Sequence, residues 1–391
     1  MTKPLSLYVH IPFCVHHCAY CDFNTYVEPA QSALIEETVE AIGLDIAKAS
    51  QERIGGTPLS DRPLATVYFG GGTPTFLSSA QLTELMATIR SHFSLLPDAE
   101  ISSEANPTSA DVAKFAAMHA LGFNRISIGV QAFDNALLTA LDRFHTTAEA
   151  VHAYRAAREA GFTNVNLDLM FGLPKQTLPL WQASLEQAIQ LAPEHLSLYA
   201  LTIEPGTRFE RLSVGGRLVL PDDDTVVAMY EYALLRLSQA GYVHYEISNF
   251  SLPGFACRHN LVYWHNEEYL GVGPGAVSYV GGRRWKRERL PKRYVQKVKK
   301  GEDLCVEEEC LAPPQALDET LLLGLRLRAG VSLNALRDRF GLDPLARYRR
   351  GIEKLVQQGL LEWNGDMLRV STKGLPLTDS VIVELLAGAE P

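Results

Sequence analysis

The sequence predicts an α/β protein: a partial (β/α)6 barrel of parallel strands, followed by a small C-terminal winged-helix-like domain. Three observations predict it. Apolar, strand-like runs alternate six times with stretches of helical periodicity between Leu5 and Leu201. The residues with chemistry to offer, Cys14, Cys18, Cys21, Gly70–Gly72, Glu104, Gln131, Asp168 and Tyr199, all fall at or just beyond the C-terminal strand ends, the face on which barrels assemble their sites. The chain then finishes in three helical stretches and a hairpin.

In order, Leu5–Ile11 reads as a buried strand, and a cysteine-bearing loop follows it. A helix over Ser32–Ala49 ends in a polar connection containing Gly55-Gly56. Strand Thr66–Gly70 runs into Gly70-Gly71-Gly72-Thr73-Pro74, and helix Gln81–Phe93 follows. Strand Glu100–Glu104 ends in Glu104-Ala-Asn-Pro107 and leads to helix Asp111–Leu121. The fourth strand is Arg125–Gln131, then helix Thr147–Ala160; the fifth starts at Asn164 and carries Asp168, then helix Leu180–Leu191; the sixth is His195–Leu201. Helix Asp222–Ala240 and strand Tyr242–Ile247 precede Cys257-Arg-His259-Asn-Leu-Val-Tyr263-Trp264 and a glycine-rich turn, Gly271–Gly275. Residues 283–300 carry ten Lys or Arg and one Glu. Helical stretches at about 315–329, 332–340 and 346–358 lead to a hairpin, Leu360–Val370, with an Asn364-Gly365 turn. These divisions set the expected units at 1–250, 251–312 and 313–391.

Composition narrows the class. At 391 residues the chain can bury a large core, and 47% hydrophobic with 21% charged residues describes an ordinary globular protein. A net charge of −9, and no basic stripe over residues 315–391, argue against nucleic acid as a partner. Met-Thr-Lys-Pro runs directly into the first strand, which predicts no leader peptide, and no apolar run reaches membrane-span length. Six cysteines in so long a chain suggest a reducing compartment, so the expected location is cytoplasmic.

Cys14, Cys18 and Cys21 stand at C-x3-C-x2-C spacing in one short loop. Three thiolates so placed can each hold one iron of a [4Fe–4S] cluster and leave the fourth iron open. Structural zinc takes four ligands, usually as two pairs. Here His16, His17 or a distant side chain would have to complete such a set, and the loop is tight for the two histidines. Three buried structural cysteines are the remaining alternative.

The other rim residues read two ways each. The glycine triplet lets backbone approach a ligand closely, or is a plain tight turn. Glu104 and Asp168 can accept hydrogen bonds from a ribose or an ammonium, or cap helices. Gln131 and Arg143 suit a carboxylate, or Arg143 pairs on the surface. His259 is a fair axial haem ligand with Tyr263 and Trp264 beside a macrocycle, or a structural histidine with an aromatic pair; Cys257 is a competing thiolate. The basic stretch 283–300 meets propionates or an acceptor protein, or is a solvated helix face.

From Tyr8 to about Tyr279 the sequence resembles the coproporphyrinogen oxidase-like branch of the radical S-adenosylmethionine (SAM) superfamily. The resemblance rests on Tyr8-x-His10-x-Pro12-Phe-Cys14, Gly-Gly-Gly-Thr-Pro, Glu104-Ala-Asn-Pro, Gly129-Val-Gln131-x-Phe133 and Asp168-Leu-Met-x-Gly-Leu-Pro-Lys-Gln, and the terminal domain is similar to that branch's C-terminal domain. It implies a radical SAM barrel, a [4Fe–4S] cluster on Cys14, Cys18 and Cys21, and SAM on the open iron. By that likeness Tyr8, Gly71 and Glu104 contact SAM, with Val277 supporting its adenine. Tyr20, Gly72, Thr73, Gln131, Arg143, Asp168 and Ala200 match a second SAM site of the branch's dehydrogenase.

The branch contains the oxygen-independent coproporphyrinogen III dehydrogenases, which oxidatively decarboxylate propionates to vinyls, and the HemW-type haem chaperones. This chain resembles the chaperones in three respects. Phe23 stands where the dehydrogenase has a fourth cysteine, the N-terminal extension is missing, and His259-Asn-Leu-Val-Tyr263-Trp264 is similar to the chaperones' His-Asn-x-x-Tyr-Trp motif. The resemblance therefore implies haem as a third cofactor, haem-acceptor proteins such as respiratory enzymes as partners, and a homodimer. No catalytic residue follows from it.

Overall fold

A computed structural model of the protein describes residues 3–388; Met1 and Thr2 of the leading tetrapeptide lie outside them. Six parallel strands, each followed by helix, form the body: β1 (Leu5–Ile11), β2 (Leu64–Gly71), β3 (Leu95–Ala105), β4 (Arg125–Gln131), β5 (Val165–Phe171) and β6 (His195–Ala200). Each neighbours the next in chain order, as six βα units require. The strands alternate, with irregularities at Leu64/Thr66 and Gly129/Gln131. Leu5, Leu7, Val9 and Ile11 of β1, Ile126, Ile128 and Val130 of β4, and Leu167 and Leu169 of β5 join one buried cluster with the helices. The intervening residues face the lumen and are mostly polar: Tyr8, Tyr68, Glu104, Ser127, Asn166, Asp168, His195 and Ser197. The period of two thus segregates an apolar outer layer from a hydrogen-bonding interior.

The sheet is wider than six units. On one edge β8 (Asn249–Ser251) pairs antiparallel with β6, and β7 (Val243–Glu246) pairs antiparallel with β8 as the edge strand. On the other edge β9 (Tyr269–Val272) lies parallel to β1 as a seventh parallel strand. It is followed by antiparallel β10 (Val277–Val280), β11 (Arg283–Arg287) and β12 (Cys305–Cys310). Residues 251–312, read from the sequence as a connecting segment with the His-Asn-x-x-Tyr-Trp motif, extend the sheet, and the basic stretch becomes β11 plus a helix, Pro291–Lys300. The terminal unit has its own core around Leu321, Leu336, Ile352 and Leu385. It packs helices Pro313–Gly324, Leu333–Phe340 and Pro344–Gln357 on a three-stranded sheet, with a further helix, Thr378–Ala387. The first of these helices stops at Gly324, short of the expected 329, because the chain turns to meet the barrel: Leu327 bridges Glu246 and the Arg328 N–H donates to the Tyr245 carbonyl at 2.9 Å. In the hairpin, Gly365 alone takes a positive φ, 99°, so the turn centres on Gly365-Asp366, with Asn364 accepting from Met367 N at 2.9 Å. Among the described residues no helix is long and apolar enough to cross a membrane.

Candidate functional site

One cavity of about 680 Å³ runs from the cysteine loop down the barrel lumen. It gathers Cys14, Cys18 and Cys21 with Tyr8, Tyr20, Gly71, Gly72, Thr73, Glu104, Gln131, Arg143, Asp168, Ala200, His259 and Tyr263. Residues from all six βα units thus meet in one place. Val277 and Trp264 do not line it: Val277 sits in β10 opposite Lys286, and Trp264 ends the short helix Arg258–Trp264.

The three cysteines are free thiols, partly exposed, and carried on the loop that leaves β1. The Cys14 thiol lies 3.4 Å from the Thr73 hydroxyl, and Arg143 donates to the Cys18 sulfur at 3.5 Å. Burial pushes the Cys21 thiol up to about 11 and raises Cys14 as well, so metal binding here must displace protons. Among the described residues no three His, Cys, Asp or Glu side chains converge on a single ion. Two hydrogen bonds tie the glycine segment to the base of this loop, Gly72 N to Ile11 O and Thr73 N to Phe13 O, both 2.8 Å. A Cβ on Gly72 would stand 2.6 Å from the Phe13 carbonyl. Gly71, at φ 107°, donates its N–H to Glu104 at 3.1 Å. The N–H groups of 71–73 are thus all used within the protein.

Glu104 is the electrostatic centre of the upper lumen. It accepts from Tyr68 OH and Gly71 N, both 3.1 Å, yet burial, then the nearby Asp168, raises its pKa to about 7. Asp168 accepts from Ser127 Oγ at 3.0 Å and Asn166 Nδ2 at 2.8 Å. It is the middle residue of β5, below the rim, and not at the strand end as expected. Tyr8 OH contacts His10 Nδ1 at 3.0 Å, and His10 Nε2 the Asn24 carbonyl at 3.0 Å. A carbonyl only accepts, so Nε2 carries the proton and Tyr8 donates to Nδ1. Gln131 ends β4 at φ 67°, backbone strain of the kind that accumulates at binding sites. Arg143 is anchored by a 2.8 Å bond to the Gly129 carbonyl.

The lower lumen was not singled out in the sequence. Arg125, Ser127, Asn166, His195 and Ser197 line it, and the period-two polar residues of Arg-Ile-Ser-Ile-Gly-Val-Gln and its neighbours were the available signal. Helix Arg258–Trp264 meets the lumen at the N-terminal ends of the strands, opposite the cysteine loop. Glu100 accepts from Arg258 N and His259 N, each at 3.0 Å. His259, 1% exposed, has both ring nitrogens engaged, Nδ1 with Thr66 Oγ1 at 2.7 Å and Nε2 with Tyr263 OH at 3.0 Å. The Tyr68 ring stacks on it at 5.1 Å, and burial holds its pKa down at about 3, so the imidazole is neutral. Cys257 is buried with its thiol toward Glu100 at 3.6 Å, and burial keeps it protonated, at about 12.

Known proteins resemble this chain in sequence and in fold. The family model of the Radical SAM superfamily matches residues 8–188, and the HemN C-terminal domain matches 311–377. The chain is 38% identical over 385 residues to heme chaperone HemW of Mycobacterium tuberculosis, covering 98% of this chain and 95% of that protein. It is 41% identical over 302 residues to heme chaperone HemW of Escherichia coli, covering 75% and 76%. Coproporphyrinogen III oxidase (HemN) from Escherichia coli, a radical SAM enzyme of solved structure, superposes with a TM-score of 0.84 at 25% identity, covering 98% of this chain and 90% of that one.

Proposed function

The chain belongs to the HemW family of the radical SAM superfamily, and from that premise we propose that it binds haem and delivers it to acceptor proteins, carrying a [4Fe–4S] cluster and SAM. Its free thiols Cys14, Cys18 and Cys21 would hold the cluster. The carbonyls of the glycine segment and the carboxylate of Glu104 would receive the ammonium of SAM, with Tyr8 alongside. The cluster and SAM supply one-electron chemistry when bound. The chain's own residues bind, orient and shield: Arg143 and Thr73 steady two of the sulfurs, and the polar lumen satisfies whatever donors the ligand presents.

The observation that carries this reading is near full-length identity of 38% to a heme chaperone, against 25% to the dehydrogenase of the same fold. Phe23, 62% exposed where the dehydrogenase has a fourth cysteine, supports it. The test is an anaerobic haem titration of the cluster-reconstituted protein, followed at the Soret band, beside an assay with coproporphyrinogen III, SAM and a reductant. Stoichiometric haem uptake without decarboxylation is expected. Decarboxylation with SAM cleavage would replace the reading by the dehydrogenase one.

A further inference from the structure

The cysteine loop and the basic segment fastened to it carry three features of use to a ligand outside the lumen. It exposes apolar side chains, Val15 at 49% and Phe23 at 62%. It carries His17, exposed at the cavity mouth and without a hydrogen-bond or ion-pair partner among the described residues. Its neighbour His16, by contrast, stacks on Phe144 at 4.2 Å and pairs with Asp142 at 3.4 Å. The third feature is cationic. Asn24 Nδ2 and Tyr26 OH, just past Cys21, donate to the Arg289 carbonyl at 3.1 and 3.2 Å and fasten the start of the basic helix to this loop.

The pairing pattern of the basic stretch is selective. Arg283, Arg284 and Lys286 pair with the glutamates of β12, Arg287 with Asp45, Lys299 with Glu37 and Lys300 with Glu302, while Lys297 donates to the Asp303 carbonyl. Arg289, Lys292 and Arg293 are exposed and have no such partner among the described residues. Lys292 and Arg293 also occupy the first turn of helix Pro291–Lys300, where the helix dipole disfavours positive charge. Their placement does not serve the helix, and it leaves their charge available to an external anion.

We propose that haem docks on this face, with His17 as an axial ligand, Phe23 and Val15 against the macrocycle, and Arg289, Lys292 and Arg293 meeting the propionates. The inference rests on the haem-binding reading and adds the site. Haem asks for an imidazole with a free nitrogen, an apolar contact for its flat face and cations for two carboxylates. Here all three are accessible, whereas both nitrogens of His259 are committed at the opposite end of the lumen.

The experiment is an anaerobic haem titration of the cluster-reconstituted protein, with the wild type, His17→Ala, His259→Ala and the combined Arg289→Glu, Lys292→Glu, Arg293→Glu chain. Haem dimethyl ester serves as a second titrant. His17→Ala is expected to move the Soret maximum and weaken uptake about tenfold or more. Charge reversal is expected to weaken haem about tenfold and leave the ester unchanged. The reversal lies outside the cysteine loop, so it reads the site even if His17→Ala disturbs the cluster, which iron content reports. Uptake that is unchanged by His17→Ala and by charge reversal, but lost in His259→Ala, overturns the inference and spares the haem-binding reading. No uptake by the wild type removes both.

Discussion

Replacing Glu104 by glutamine perturbs the lumen group whose titration reaches neutrality. In the folded chain burial and the proximity of Asp168 keep its proton in place up to about pH 7, where an ordinary glutamate releases it at 4.5. Between those values the folded state binds more protons than the unfolded state, so the Glu104 contribution falls as pH rises through the window. From about pH 5 to about pH 8 the loss is roughly 2 kcal/mol. The substituted glutamine carries no proton to lose, and its amide oxygen can still accept from Gly71 N. The stability difference, variant minus wild type, is therefore expected to grow by about 2 kcal/mol across that range. Urea unfolding of both chains in cluster-free form, at matched pH values, measures it. His145, His244 and His259, held neutral down to about 4, 4 and 3 by burial, act with the opposite sign. Their contribution is lost as pH falls below the ordinary histidine value, equally in both chains, and cancels. A difference that stays constant with pH would refute the reasoning.

Three further outcomes are expected. Cys14→Ala, Cys18→Ala and Cys21→Ala should each lose the cluster absorbance and bound iron after anaerobic reconstitution, while Cys305→Ala and Cys310→Ala, away from the cavity, should retain both. Gly71→Ala forces a side chain at φ 107° into the His10 ring, at a cost of about 1–3 kcal/mol, visible as a lower melting temperature and weaker SAM retention in equilibrium dialysis. Thr66→Val leaves the buried His259 Nδ1 without its 2.7 Å partner and should lower stability by about 1–3 kcal/mol in a melting experiment.

Much of the barrel and its rim could be read without coordinates, because local chemistry is decisive there. Apolar alternation specifies strands whose outer face packs on helices, and cysteines three and two residues apart share a loop whatever surrounds them. The strand bounds Leu5–Ile11 and Arg125–Gln131 coincide with the observed ones, and Asp111 and Asp222 cap the helices they were expected to begin. What escaped was long-range. Nothing local in Tyr269–Val272 reveals that it pairs with β1, more than 250 residues earlier, as a parallel strand. Val277 and Trp264 could be matched by family likeness but not aimed, since their direction depends on how β10 and the helix Arg258–Trp264 pack.

The sequence by itself determined the class of the protein: six βα units, three thiols in one loop, and a rim of polar residues at the strand ends. Those follow from periodicity and spacing, which act over a few residues. Only the tertiary structure decided what each polar side chain meets. It joined the rim to a polar lumen, buried Glu104 beside Asp168 so that its pKa rises, and set His259 at the far end with both nitrogens bonded to Thr66 and Tyr263. It also left three cations of the basic stretch, near the cysteine loop, without a partner among the described residues while the others found partners. Charge, burial and hydrogen-bond supply at a site are sums over residues distant in the chain, and only the packed fold brings those terms together.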